Sequence, residues 1–209
     1  MSRWRKRLFI KDLRLLNDTL ATTPLADFYW VWGGLLIGWA REGSVLAHDC
    51  SDADFAMLTE DLPRLEQAVP TLVAAGFKPL HRFFNNAGRT TEYCFVRHGA
   101  KFEFFMHERA CGRLRYHTFS IGSPDQGPIQ AVASIPDQPI TTFSFVARTW
   151  RKHADHDAEL TEIYGDWRTP EPDWSYIDDR AIDELDPWVW GAGTRWFGEF
   201  GDALPRLEL

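Results

Sequence analysis

Apolar residues recur at three- and four-residue intervals at Phe9, Leu13, Leu16 and Leu20. That spacing predicts an amphipathic helix over residues 8–21. The Thr22-Thr23-Pro24 segment breaks it, and the period then changes. The run Phe28-Tyr29-Trp30-Val31-Trp32 is aromatic and β-branched, so it reads as a buried strand. Gly33-Gly34 ends that run, and residues 35–42 follow as a short helix or turn. Polarity alternates from Asp52 to Leu58, placing Asp52 and Asp54 on one face of a strand and Ala53 and Phe55 on the other. Helical spacing returns at Leu62, Leu65, Val69, Leu72 and Val73, predicting a helix over 60–75. Pro63 suits its first turn, Pro70 would bend it, and Gly76 is a natural cap. Strand-like runs at 77–84, 91–99 and 101–109 are parted by turns at 85–88 and 98–100. Residues 128–149 read as irregular or strand-like, and 146–164 as a helix closed by Tyr164-Gly165. Beyond Gly165, proline, glycine and tryptophan dominate and no element is predicted.

This order implies a mixed α/β chain of the α+β type, with a mixed sheet flanked by helices and no long βαβ series. A length of 209 residues fits one domain, or one domain with an appended tail. Hydrophobic residues at 44% and charged residues at 25% supply a core and a solvated surface. The net charge of −7 leaves no basic excess to displace counterions, which argues against nonspecific nucleic-acid binding. An anionic substrate would need a local arginine or a metal ion. Cys50, Cys94 and Cys111 show no paired spacing, which suits a reducing compartment, with the cytoplasm as the default location. The basic N-terminal stretch is interrupted by charges too often to read as a signal peptide or a membrane span.

Asp-x-Asp arises about once or twice by chance in a chain this acidic, and Asp155-x-Asp157 is a second instance, read as a solvated helix face. Context lifts Asp52-x-Asp54: it opens an apolar strand after a glycine turn, and a third carboxylate, Glu103, lies among Phe102, Phe104 and Phe105. Two carboxylates on one strand face, joined by a third from a neighbour, can converge on Mg²⁺. The plain alternative has the pair at a strand end and Glu103 facing solvent. Gly33 and Gly34 could bring backbone N–H groups to a phosphate, or serve turn geometry only. Arg41 could hold a phosphate or offset Asp52 and Asp54, or form a surface ion pair with Glu42 or Asp49. His153 and His156 are read as a solvated helix face rather than a zinc pair, and Arg151 and Lys152 as surface charge. Cys50 lacks a base partner for nucleophilic work. Trp188, Trp190 and Trp196 could cover the core, offer a glycan platform or meet a subunit.

Gly33-Gly34, Gly38, Arg41, Asp52-x-Asp54, Glu103 before Phe104-Phe105, and Tyr164 to Pro170 occur in one order. That series resembles the LicD/fukutin family of phosphotransferases, which share the nucleotidyltransferase fold. The resemblance covers roughly residues 10–175 and implies a catalytic domain over 1–175, with 176–209 as an irregular Trp-rich extension packed on it. It implies transfer of a phospho-alcohol, of the phosphocholine or ribitol-phosphate type, from a CDP-linked donor to a glycan hydroxyl. Mg²⁺, or Mn²⁺ in its place, would sit at Asp52, Asp54 and Glu103. Those three would be the metal and catalytic carboxylates, with Glu103 the first choice to accept the hydroxyl proton. Gly33, Gly34 and Arg41 would line the donor phosphates, and Asp166 and Arg168 would belong to a substrate loop. Peripheral docking would serve a membrane-linked acceptor.

The chain departs from the family pattern at Cys50, where many members carry an acid beside Asp49, at Ala47-His48, where proline and an aromatic are usual, and at Glu103, where aspartate is usual. Two further readings stand beside this one: transfer of NMP from an NTP, and a non-catalytic binding domain of the same fold.

Overall fold

Phe9, Leu13, Leu16 and Leu20 all turn inward from helix α1 (Arg3–Leu20), as their spacing requires. The structure is a computed structural model that describes residues 3–46, 48–85, 87–120, 129–171, 174, 184–187 and 194–196. Strand β1 (Tyr29–Val31) leads into helix α2 (Gly33–Glu42), so the glycine pair opens a helix instead of closing a separate turn. Strand β2 (Asp52–Leu58) follows, then a short 3₁₀ turn and helix α3 (Leu62–Ala74). Pro63 lies in the first turn of α3 and Pro70 inside it. Gly76 stands just past its end at φ +89°, in the left-handed region.

Strands β3 (Lys78–Phe84), β4 (Thr90–Arg97) and β5 (Ala100–Ala110) form the expected antiparallel series. Strands β6 (Arg113–Ser120) and β7 (Ile129–Pro136) continue it. Strand β5 is the hub: it pairs antiparallel with β4 and β6, and parallel with β2. The described strands therefore build a mixed sheet of nine, flanked by helices, which is the α/β architecture the patterning predicts. Strands β8 (Ile140–Phe145) and β9 (Arg148–His153) form a separate two-stranded ribbon before helix α4 (His156–Tyr164). Of the Trp-rich extension, β10 (Glu184–Pro187) pairs with β7 and β11 (Thr194–Trp196) pairs with β3. Trp188 and Trp190 lie outside the described residues.

The helix expected over 146–164 is thus half strand. Arg148–His153 buries Trp150, Lys152 and His153 and pairs with β8. The helix starts only where the Asp155 carboxylate accepts the Ala158 N–H at 3.0 Å. His153 and His156 consequently do not share a solvated helix face. His153 is buried in β9, with its Nδ1 2.8 Å from Glu159 Oε2, while His156 packs edge-on against Trp39.

The sheet's two faces differ in character. Ala53, Phe55 and Met57 of β2 and Phe102, Phe104 and Met106 of β5 point to one side, where α1 and α3 cover them. Alternation sends Asp52, Asp54 and Ala56, with Glu103, Phe105 and His107, to the other. There, Ala56 and Phe105 pack with Trp30, Trp32, Tyr116 and Ile163, leaving the acidic end of the row beside the start of α2.

Candidate active site

Asp54 and Glu103 are register partners on the parallel β2–β5 pair, so their side chains leave the sheet on the same face. Asp52 lies two residues earlier on that face. The three carboxylates each offer an oxygen within 4.8 Å of the others. Glu103 is buried in a central strand, which removes the alternative of an edge residue facing solvent.

The start of α2 is built against this group. Gly34 N–H donates to Asp54 Oδ2 at 2.9 Å, and the Trp32 N–H donates to the Asp54 carbonyl at 3.2 Å. Gly33 adopts φ +56°, and a Cβ there would lie 2.6 Å from Asp54 Oδ2. Both the backbone angle and the space demand glycine. A Cβ on Gly34 would sit 3.4 Å from Asp54 Oδ2 and 3.5 Å from Asp49 Oδ2, so Asp49 borders the same group. Cys50 instead turns inward and donates to the Leu46 carbonyl. Burial raises its thiol pKa, which is unfavourable for a nucleophile.

Sequence reasoning passed over Lys101, whose Nζ lies 2.8 Å from Glu103 Oε1 and 3.1 Å from Asp52 Oδ2. The signal was present: Lys101 precedes Glu103 by two residues on a strand, so both point the same way. Burial opposes the charge on Lys101, but Glu103 and Asp52 outweigh it and hold its pKa above the ordinary value. The carboxylates hold their protons more tightly than ordinary acids. Burial, then Asp52, pushes Asp54 well up; burial, then Glu92 and Asp52, does the same to Glu103. Burial and Asp52 also raise Asp49.

A cavity of about 490 Å³ opens beside Gly34. Arg41, His48, Tyr164, Asp166 and Trp174 contribute to its walls, and the Tyr164 and Trp174 rings lie 4.7 Å apart. Arg41 is not paired with Glu42 or Asp49. Its Nε donates to the Trp167 carbonyl at 3.0 Å, which ties α2 to the loop after α4. In that loop Asp166 accepts from the Thr169 hydroxyl at 2.7 Å. Arg168 turns away, stacking on Trp167 and pairing with Asp157, so the second Asp-x-Asp is a loop anchor rather than a bare solvated face. The structure thus gathers Asp52, Asp54 and Glu103, sets Gly33 against Asp54, places Gly34, Arg41 and Asp166 around one opening, and leaves Arg168 outside it.

No protein-family model matches the chain, and no curated protein matches it. Among the described residues no helix is long and apolar enough to cross a membrane.

Proposed function

We propose that the chain is a Mg²⁺-dependent transferase that moves a phospho-alcohol from a CDP-linked donor to a hydroxyl acceptor, as the resemblance to the LicD/fukutin family implies. The observation that carries this reading is the convergence of Asp52, Asp54 and Glu103 on one sheet face beside the glycine start of α2.

The donor set suits a hard divalent cation. Three carboxylates can supply oxygens, and Asp52 Oδ1 is buried with no hydrogen-bond partner among the described residues. The same group already recruits one cation, the Lys101 ammonium. Asp52, Asp54 and Glu103 would hold the metal, which when bound supplies charge neutralisation for the donor phosphates. The cavity beside Gly34 falls in the range of small-ligand sites. Its Tyr164 and Trp174 rings suit a base or sugar, and Arg41 suits a diphosphate.

In the transfer, the acceptor oxygen forms a bond to the donor's β-phosphorus while the bond from that phosphorus to the oxygen of CMP breaks. The proton of the acceptor hydroxyl passes to a carboxylate of the trio, with Glu103 the first choice.

A thermal-shift panel tests the reading. CDP-choline, CDP-ribitol and the four NTPs are each added with and without Mg²⁺, since a ligand that binds only the native state raises Tm. Release of CMP from a stabilising CDP-alcohol supports the proposal, whereas pyrophosphate release from an NTP would replace it with nucleotidyl transfer. No Mg²⁺-dependent shift with any member would leave a non-catalytic binding domain.

A further inference from the structure

The row that joins Asp54 to Glu103 continues beyond them. Glu103 faces Cys94 across β5 and β4, and Cys94 faces His81 across β4 and β3. Register partners share a face, so these side chains stand side by side across neighbouring strands. Glu92, two residues before Cys94 on β4, joins them on that face. All four are buried, and each offers one ligand atom within 4.8 Å of the rest. His81 Nε2 contacts Glu92 Oε1 and lies 3.9 Å from Glu103 Oε1.

A hydrogen bond between His81 and Glu92 would explain two of these residues, and Lys101 engages Glu103 Oε1 at 2.8 Å, which leaves Cys94 to be explained. Cys94 donates only a weak contact, 3.5 Å to the Phe95 carbonyl. Two buried carboxylates beside a thiol make a group that a cation would relieve. The ligand types decide which cation. One nitrogen, one sulfur and two oxygens suit a borderline-soft ion in tetrahedral geometry, whereas Mg²⁺ takes oxygen and an octahedron. Bonds of about 2.0–2.3 Å put tetrahedral ligands roughly 3.3–3.8 Å apart; His81 Nε2 and Glu103 Oε1, at 3.9 Å, come near that spacing, whereas His81 Nε2 and Glu92 Oε1 are in direct contact and would part to admit an ion.

We propose that His81, Glu92, Cys94 and Glu103 form a Zn²⁺ site, separate from the acidic trio and joined to it through the shared Glu103. Binding displaces the Cys94 proton, which is released to solvent as the thiolate–zinc bond forms. The site stands whether or not the chain is a transferase, because three of its four donors, His81, Glu92 and Cys94, lie outside the acidic trio.

The test uses the full chain carrying Cys111→Ser, which removes the exposed thiol. The protein is stripped with a chelator, then titrated with Zn²⁺ and, separately, with Co²⁺. One Zn²⁺ per chain is expected, together with a thiolate-to-cobalt charge-transfer band in the near ultraviolet. Cys94→Ala should abolish the band and weaken Zn²⁺ binding at least about tenfold, while Asp52→Asn should leave both intact. Stoichiometric Co²⁺ without the band in the parent chain overturns the proposal, even if Cys94→Ala does not fold. So does a band that survives Cys94→Ala, or one that is lost in a folded Asp52→Asn protein.

Discussion

Gly33 and Asp54 are fitted to each other: the glycine holds φ +56°, and the carboxylate occupies the space where its Cβ would be, with an atom-to-Cβ distance of 2.6 Å. Helix α2 can begin against the acidic strand only because residue 33 has no side chain. Gly33→Ala should therefore act twice, through backbone strain and by displacing Asp54. Strain of this kind costs about 1–3 kcal/mol. A drop in Tm of roughly 3–10 °C follows for a chain of this size, along with loss of any Mg²⁺-dependent stabilisation. Differential scanning calorimetry with and without Mg²⁺ measures both; an unchanged Tm would mean that the close fit carries no energetic weight.

Asp54→Asn separates chemistry from folding. Asparagine keeps an oxygen for the Gly34 N–H and removes one of several mutually repelling charges. Thermal unfolding should move by no more than about 1 kcal/mol, the usual net worth of such a hydrogen bond, and upward if repulsion dominates. Turnover of the CDP-alcohol identified by the ligand panel should be abolished. Retained turnover would remove Asp54 from the proposed catalytic group.

Much of this arrangement is legible in the sequence, because it depends on strand alternation. A period of two is enough to put Asp52 and Asp54 on one face, and the apolar run around Glu103 marks a buried strand. The acidic row itself is not legible there, since pairing Asp54 with Glu103 requires the parallel β2–β5 register, a long-range choice that local pattern does not encode. Lys101 is hidden differently, as one charge among many unless Glu103 is known to be buried. The helix expected over 146–164 fails because Arg148–His153 is rich in charge and has one large apolar member, Trp150, so no strand period stands out there. Tertiary pairing with β8 decides that segment.

Stability without divalent cations should fall as pH rises. Burial and neighbouring acids raise the folded-state pKa of Asp54, Glu103 and Asp49. The native chain thus binds more protons than the unfolded chain wherever these groups are protonated only when folded. Their favourable contribution is fully present below the ordinary carboxylate range of about pH 4 and is lost as pH climbs through the raised values. Tm measured from pH 4 upward in chelator should decline through that window. Mg²⁺ should flatten the decline by favouring the ionised forms, and Asp54→Asn should reduce it. A metal-free profile that rises across the same window would contradict the assignment.

Lys101 supplies the sharpest test of whether the trio attracts cations. Its ammonium is shared between Asp52 and Glu103, and its raised pKa keeps it charged throughout the neutral range. Lys101→Met retains the side chain's apolar bulk but deletes the charge. The Lys101 side chain is 42% exposed, so solvent screens much of the interaction. The loss should be about 1 kcal/mol, or roughly 2–4 °C in Tm for a chain of this size, in chelator. The same substitution removes a competitor for the carboxylates and leaves their repulsion unbalanced, so the Mg²⁺-induced rise in Tm should exceed that of the parent. Both effects are read from one pair of melting curves per protein. A lower metal-free Tm with a smaller Mg²⁺ response would show that Lys101 helps to form the cation site rather than competing for it. An unchanged pair of curves would mean that Asp52 and Glu103 gain nothing from Lys101 and that it does not compete with Mg²⁺.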